Sequence, residues 1–256
     1  MRSGAVSTTP GPPAADLTDL AELAERVRPV TLSREQRLPV LPALQDLVPG
    51  AGLRRGGTVA VSGEGGVGGA TSLALALVAE ASRAGSWVAA VGLPSLGLVA
   101  ADELGVALER LVLVAAPERE AWGSVAAALV DGFDCLVLSA ERGVRPGDAR
   151  RLVARARERG AVLVQVGGGW PERADVDLRI TRSRWEGIEA GHGHLQARKV
   201  RVVQSGRGEA ARPRRVDLWL PGPAGEVEVV AAPSPVPAPA SSPPRPRRDR
   251  PLRAVS

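Results

Sequence analysis

The residues whose types and spacing could do chemistry lie in one segment, Ser62-Gly63-Glu64-Gly65-Gly66-Val67-Gly68-Gly69-Ala70-Thr71-Ser72. The chemistry would be phosphate binding. Glycines let backbone N–H groups converge on an anion, and a helix that starts there adds positive potential. A working loop of this kind reads G-x-x-x-x-G-K-[ST], the lysine reaching the β/γ-phosphates and the hydroxyl holding Mg²⁺. In one register Gly63 and Gly68 are the anchors, Gly69 takes the lysine position and Ala70 the hydroxyl position. In the other, Gly69 is the second anchor, Ala70 replaces lysine and Thr71 keeps the hydroxyl, but Glu64 displaces the first glycine. Neither register contains lysine, and the chain's one lysine, Lys199, is far away in sequence. Two readings stay open: a glycine-rich turn kept for packing, or weak nucleotide or anion binding through the backbone of Gly63, Gly65, Gly66, Gly68 and Gly69 with Thr71 and Ser72.

Phosphoryl transfer also needs an acid for Mg²⁺ at the end of a second strand. The segment Phe133-Asp134-Cys135-Leu136-Val137-Leu138-Ser139 ends in serine, with Glu141 two positions beyond as a weak substitute. Without the cation and the acid, hydrolysis loses its main electrostatic support. The expectation is a protein that is not an enzyme and holds no cofactor.

The other chemistry-bearing residues point to binding. Residues 179–215 carry a net +7 and residues 231–256 a net +4, which leaves the rest of a chain of net +5 at −6. A usage bias explains arginine over lysine, but not this clustering. Arg179, Arg182, Arg184, Arg198, Lys199 and Arg201 are candidates for DNA phosphates or a protein partner, as are Arg245, Arg247 and Arg248 in the tail. Aromatic residues are few, with no tyrosine and one phenylalanine, so Trp170 and Trp185, expected in loops, are the candidate base stackers and DNA contact would be mostly electrostatic. Gly191-His192-Gly193-His194 reads as a mobile loop rather than a metal pair, because no thiolate lies near it. Cys135, in an apolar strand, reads as core filler.

Positioning these groups requires a folded core. The chain has 256 residues, of which 44% are hydrophobic, enough for one α/β domain with tails. One cysteine fits a reducing compartment. No signal-like or membrane-spanning run is found, so a cytoplasmic protein without membrane contact is expected. Residues 1–15 read as disordered, 16–34 as a helix and connector, 35–230 as the core and 231–256 as a disordered Pro/Arg-rich tail. Within the core, strands at 58–62, 87–92, 111–115, 134–139 and 161–167 alternate with helices at 71–84, 98–104, 118–131 and 146–159, which implies βαβ crossovers. Runs such as Leu111-Val112-Leu113-Val114 and Leu136-Val137-Leu138 are apolar at every position, as strands covered on both faces require. From 178 onward the polar–apolar alternation predicts antiparallel strands at 178–182, 196–204 and 215–220.

The run Pro42 to Gly63 resembles the segment that leads into the phosphate loop of the RecA recombinases. Thr71-Ser72-Leu73, the run Ala101 to Val106, Phe133–Ser139 and Arg198–Gln204 continue that resemblance over roughly residues 35–228. It implies an α/β fold with a RecA-like, mainly parallel sheet, flanking helices and antiparallel strands at the C-terminal edge. The departures are the missing loop lysine and strand acid, Leu93 or Pro94 where the water-activating glutamate is expected, and Gln204 and Gly206 near the positions of the lysines that reach a neighbour's phosphates. With these losses and the Arg/Pro tail the chain is similar to the ImuA family in its ImuA-prime form. That resemblance implies a non-catalytic partner in damage-induced translesion synthesis, binding an ImuB-like Y-family polymerase homologue. Through it the protein would reach an error-prone replicative-type polymerase and the sliding clamp. SulA-like division inhibitors share the degenerate fold, so fold alone leaves that role open, together with a DNA-binding RecA-like protein of weak ATP affinity.

Overall fold

The computed structural model describes residues 37–115, 117–139, 144–189 and 192–230. The expected N-terminal helix, Glu141 and the tail with Arg245, Arg247 and Arg248 lie outside them. Strands β1 (Arg37–Pro39) and β2 (Gly52–Arg54) form a small antiparallel pair. Then come β3 (Thr58–Gly63), α1 (Ala70–Arg83), β4 (Val88–Val91), α2 (Leu98–Glu103), β5 (Leu111–Val114), α3 (Trp122–Gly132) and β6 (Cys135–Ser139). The chain continues with α4 (Pro146–Arg159), β7 (Val162–Val166), β8 (Val176–Glu189), β9 (His192–Gly206), β10 (Arg214–Trp219) and β11 (Glu228–Val229). All strands from β3 onward join one 9-stranded sheet in the order β11-β10-β9-β8-β3-β7-β6-β4-β5. Pairing is parallel from β8 through β5 and antiparallel from β8 out to β11.

Side-chain alternation along the strands sorts the core into two layers. On the first face Val61, Val88, Val137, Val164, Leu178, Ile180, Val200 and Val202 pack with Leu73 and Leu77 of α1. On the second, Ala89, Val91, Leu136, Leu138 and Leu163 meet Trp122, Ala126 and Val130 of α3 and Leu152 and Ala156 of α4. The second cluster holds no residue of β8, β9 or β10. Helix α4 starts on Pro146 and stops at Gly160, whose φ of 73° is easy only for glycine.

Three expectations change. Leu111–Val114 is apolar throughout, yet β5 is the sheet edge and Leu113 is 48% exposed. Helix α3 begins at Trp122 rather than 118, because Glu118, Arg119 and Glu120 are exposed and Trp122 is its first buried anchor. As expected for the 35–230 core, the segment before β3 adds Leu44, Leu47 and Leu53 to the first cluster. Residues 192–194 are no free loop: β8 and β9 form a long hairpin that pairs out to Glu189 and His192, and Gly191 lies outside the described residues.

Candidate functional site

The glycine segment follows β3, whose residues Val59 and Val61 are locked into the core. It makes a short turn over Glu64–Gly66 and reaches α1 through Gly69. Gly69 is required there. Its φ is +118°, and a Cβ would come within 3.1 Å of Ile180 Cδ1 and 3.4 Å of the Arg198 guanidinium. Gly68 differs: no positive φ demands glycine, and a Cβ would meet nothing within 4 Å. Gly65 and Gly66 also border open space. No side chain caps the start of α1. Shape and helix terminus therefore match a phosphate cradle, with the first-turn N–H groups uncapped by any side chain.

The charge does not match. The cation at this junction is Arg198, brought in by β9 from 126 residues away. Its Nη2 donates to Ser72 Oγ at 2.7 Å and its Nε to the Leu220 carbonyl at 2.7 Å. The guanidinium lies over the Trp185 ring, 4.9 Å from the centroid. Arg198 is only 7% exposed, and among the described residues it has no carboxylate partner. Burial lowers its pKa from the ordinary arginine value. Arg198 is thus a brace between α1, β9 and the chain after β10, and not the surface cation that sequence alone suggests. The reason is register: Val200 and Val202 point into the core, so Arg198 on the same side of β9 must follow them.

Trp185 shares that side, opposite Arg198, in strand β8 rather than a loop. Trp185 stays 41% exposed, whereas Trp170 is half-buried, its ring edge-on against Trp122 at 5.8 Å and 62°. Its Nε1, both amide atoms of Gln165 and Asp177 Oδ1 are buried without a hydrogen-bond partner among the described residues.

Around the loop the remaining hydrolytic positions are filled by other work. Ser139 ends β6, with β7 between it and β3. Leu93 packs on the first core cluster. Gln204 is buried and donates to the Ala210 carbonyl at 2.8 Å, and a Cβ on Gly206 would fall 2.3 Å from the Asp175 carbonyl oxygen. Cys135 is buried, its thiol pushed up to about 12 chiefly by burial. It is a core residue, not a nucleophile.

The other basic candidates gather on the opposite side of the antiparallel strands. Arg182 pairs with Arg201 and Arg184 with Lys199 across β8 and β9. Arg179, Arg182 and Arg184 are exposed. Arg201 is held by Asp217 in a two-pronged pair at 2.7 and 2.8 Å. Among the described residues no helix is long and apolar enough to cross a membrane, and no group of three or more acids, histidines or thiols could hold a metal ion.

Residues 46–172, from the segment before β3 through the loop to just beyond β7, match a family model described as the MT3502 N-terminal domain. The chain is also similar to the uncharacterized protein Rv3395c of Mycobacterium tuberculosis (strain ATCC 25618 / H37Rv), at 44% identity over 103 residues. That stretch is 40% of this chain and 50% of the relative, so the chain spans about half the length of the curated relative it matches.

Proposed function

We propose that this protein is a non-catalytic, RecA-like accessory factor of damage-induced mutagenic translesion synthesis. It works by binding an ImuB-like Y-family polymerase homologue, and through it an error-prone replicative-type polymerase and the sliding clamp. One observation carries the non-catalytic part: the cation at the glycine loop is committed to Ser72, the Leu220 carbonyl and Trp185, while serine stands where the metal acid belongs. A phosphate-loop architecture with its charges absent or engaged elsewhere favours a scaffold over a phosphoryl-transfer enzyme. The RecA-like reading draws on the glycine turn between a central parallel strand and a long helix, at the carboxyl ends of the strands where α/β ligands bind. The partner is drawn from the sequence resemblance to the ImuA family.

The test is a binding experiment with purified components. Full-length protein and a chain ending at Val230 are presented to an ImuB-like protein and to a division GTPase, and ATP turnover is followed in parallel. Binding to the polymerase homologue without turnover supports the reading, and loss in the shortened chain assigns the contact to the tail. Binding to the division GTPase alone transfers the role to a SulA-like inhibitor. Turnover that disappears in Thr71→Ala overturns both.

A further inference from the structure

The helices on the second face of the sheet stop at β7, and β8, β9 and β10 beyond carry unbalanced charge there. Register fixes which residues share that face. Leu178, Ile180, Val200, Val202 and Leu218 turn into the first core cluster, so Arg179, Lys199, Arg201, Val203, Arg215 and Asp217 turn the other way. An irregularity between Ile180 and Arg182 brings Arg182 and Arg184 to the same side, where they face Arg201 and Lys199. Asp217 is taken by Arg201, and the charges of Lys199 and Arg215 also act on it. Asp177, Glu186 and Glu228 are the other acids of this face by register. Among the described residues none of them comes within ion-pair distance of Arg179, Arg182, Arg184, Lys199 or Arg215. Cations opposite one another in a sheet repel, so this array calls for an anion that the sheet does not supply.

The chain itself holds one. Residues 16–25 read Asp-Leu-Thr-Asp-Leu-Ala-Glu-Leu-Ala-Glu, with an acid at every third position: Asp16, Asp19, Glu22 and Glu25. A leucine follows each of the first three, at Leu17, Leu20 and Leu23. On the helix expected from the sequence the two series run side by side, one edge anionic and the next apolar. Size suits the face. These 10 residues span about 15 Å as a helix, and the strand from Lys199 to Val203 about 13 Å. Reach suits it too. The described chain begins at Arg37, which is fixed to Glu209 at 3.0 Å and to the Pro49 carbonyl at 2.6 Å. Glu209 lies just past the end of β9, so the chain emerges beside the foot of this face. Residues 26–36 reach at most about 36 Å when extended, enough to turn the end of a sheet. Apolar contact is available as well: Val203 is half-buried on this face, with Arg179 and Arg215 opposite it on the two neighbouring strands.

We propose that residues 16–25 dock on the outer face of β8, β9 and β10 of the same chain, their four carboxylates against Arg179, Arg182, Arg184, Lys199 and Arg215. The leucines then lie over Val203 and the apolar stems of the arginines. Docked in this way the segment is a built-in competitor. An anionic partner reaches these cations only by displacing it. The proposal concerns the chain alone and does not rest on the translesion reading.

Lys199 makes a direct test possible, because it is the one lysine of the chain and is half-exposed on this face. The tail holds arginines and no lysine, so an amide bond formed from a lysine reports on this face alone. Full-length protein is treated with a zero-length carbodiimide, which joins carboxylates to amines, and the digest is mapped by mass spectrometry. The expected result is a link from Lys199 to an acid of residues 16–25, within one chain in an equal mixture of ordinary and isotope-labelled protein. No link from Lys199, or links only to Asp217 or Glu228, overturns the proposal. Links between labelled and unlabelled chains also overturn it and place the segment on a second copy. A rate measurement gives a second reading. Acylation of Lys199 should be about 10-fold faster in Asp16→Asn/Asp19→Asn/Glu22→Gln/Glu25→Gln than in wild type, because several weak charge pairs are lost together. Raising salt from about 50 to 500 mM should close that gap by speeding the wild type. The control Asp102→Asn/Glu109→Gln/Glu118→Gln/Glu158→Gln removes exposed acids elsewhere and should label as the wild type does. Equal rates in the wild type and the 16–25 variant overturn the proposal, as does an equal increase in the control.

Discussion

The glycine loop after β3 and the outer face of β8–β10 divide shape from charge: one has the open backbone turn and the other the cations. The loop keeps the backbone shape for phosphate, but the cation that the described residues place beside it is spent on Ser72 and Leu220. The outer face keeps the cations, but encloses nothing. Arg198 and Arg201 show the difference at the level of single residues. They stand three positions apart on β9, yet the pleat sends one into the core and the other to solvent. Burial lowers the pKa of Arg198, whereas the hydrogen bonds from Arg201 to Asp217 raise that of Arg201. The lesson is that strand parity, not residue type, decides whether an arginine braces the core or stays at the surface.

The largest effect expected on stability comes from breaking the brace. Arg198→Met leaves the buried Leu220 carbonyl without its side-chain donor, which should cost about 1–3 kcal/mol. For a domain of this size, each kcal/mol lowers the melting temperature by about 2–4 °C, read by calorimetry. Arg201→Met, on the half-buried pair with Asp217, should cost less, about 1 kcal/mol. Equal losses in the two variants would erase the contrast between the faces.

Next comes an attempt to restore the missing lysine. Gly69→Lys forces a side chain onto a φ of +118° beside Ile180 and Arg198, so it should destabilise by about 1–2 kcal/mol in denaturant titrations. It should also fail to confer ATP turnover, because β6 still ends in Ser139 where the metal acid is expected. A gain of turnover would mean that the loop is poised for hydrolysis.

A smaller effect concerns pH. Asp217 is held below the usual carboxylate range first by the hydrogen bond from Arg201, with burial opposing and the charges of Arg201, Lys199 and Arg215 assisting. Its folded pKa is therefore below its unfolded one. The stabilisation is present above the unfolded value of about 4 and is lost as pH falls through the lower folded value. Wild type should accordingly lose more melting temperature than Asp217→Asn on going from neutral pH to about pH 2. The smallest effect is Gly68→Ala, which meets open space at an ordinary φ and should change stability by less than about 0.5 kcal/mol. If that substitution leaves partner and oligonucleotide binding intact as well, Gly68 has no role on either side of the comparison.

Much of this architecture was legible in the residues. The alternation of apolar runs with helical segments predicts β3 through β7, because parallel strands buried on both faces must be apolar at every position. Leu136-Val137-Leu138 obeys that rule in the middle of the sheet. Leu111–Val114 has the same pattern at the edge, where apolar composition no longer implies cover. The hairpin was harder, since Gly191-His192-Gly193-His194 reads as a mobile loop. Gly187 is instead a packing position within β8, where a Cβ would lie 2.3 Å from the His194 carbonyl oxygen. The composition of the loop site was visible and its missing charges with it. The identity of its cation was not, because Arg198 and Ser72 are joined only by the register of β9 against β8 and β10. In Ala197-Arg198-Lys199-Val200-Arg201-Val202 both parities hold a basic residue, so alternation alone cannot say which one turns inward.

The central claim is binding without hydrolysis, and steady-state ATP turnover by the full-length protein with Mg²⁺ tests it most directly, with and without single-stranded oligonucleotide. The account predicts phosphate release indistinguishable from that of an Arg198→Met, Thr71→Ala double variant under both conditions. Oligonucleotide-stimulated release that vanishes in the double variant would contradict it, and would make the glycine loop an active site.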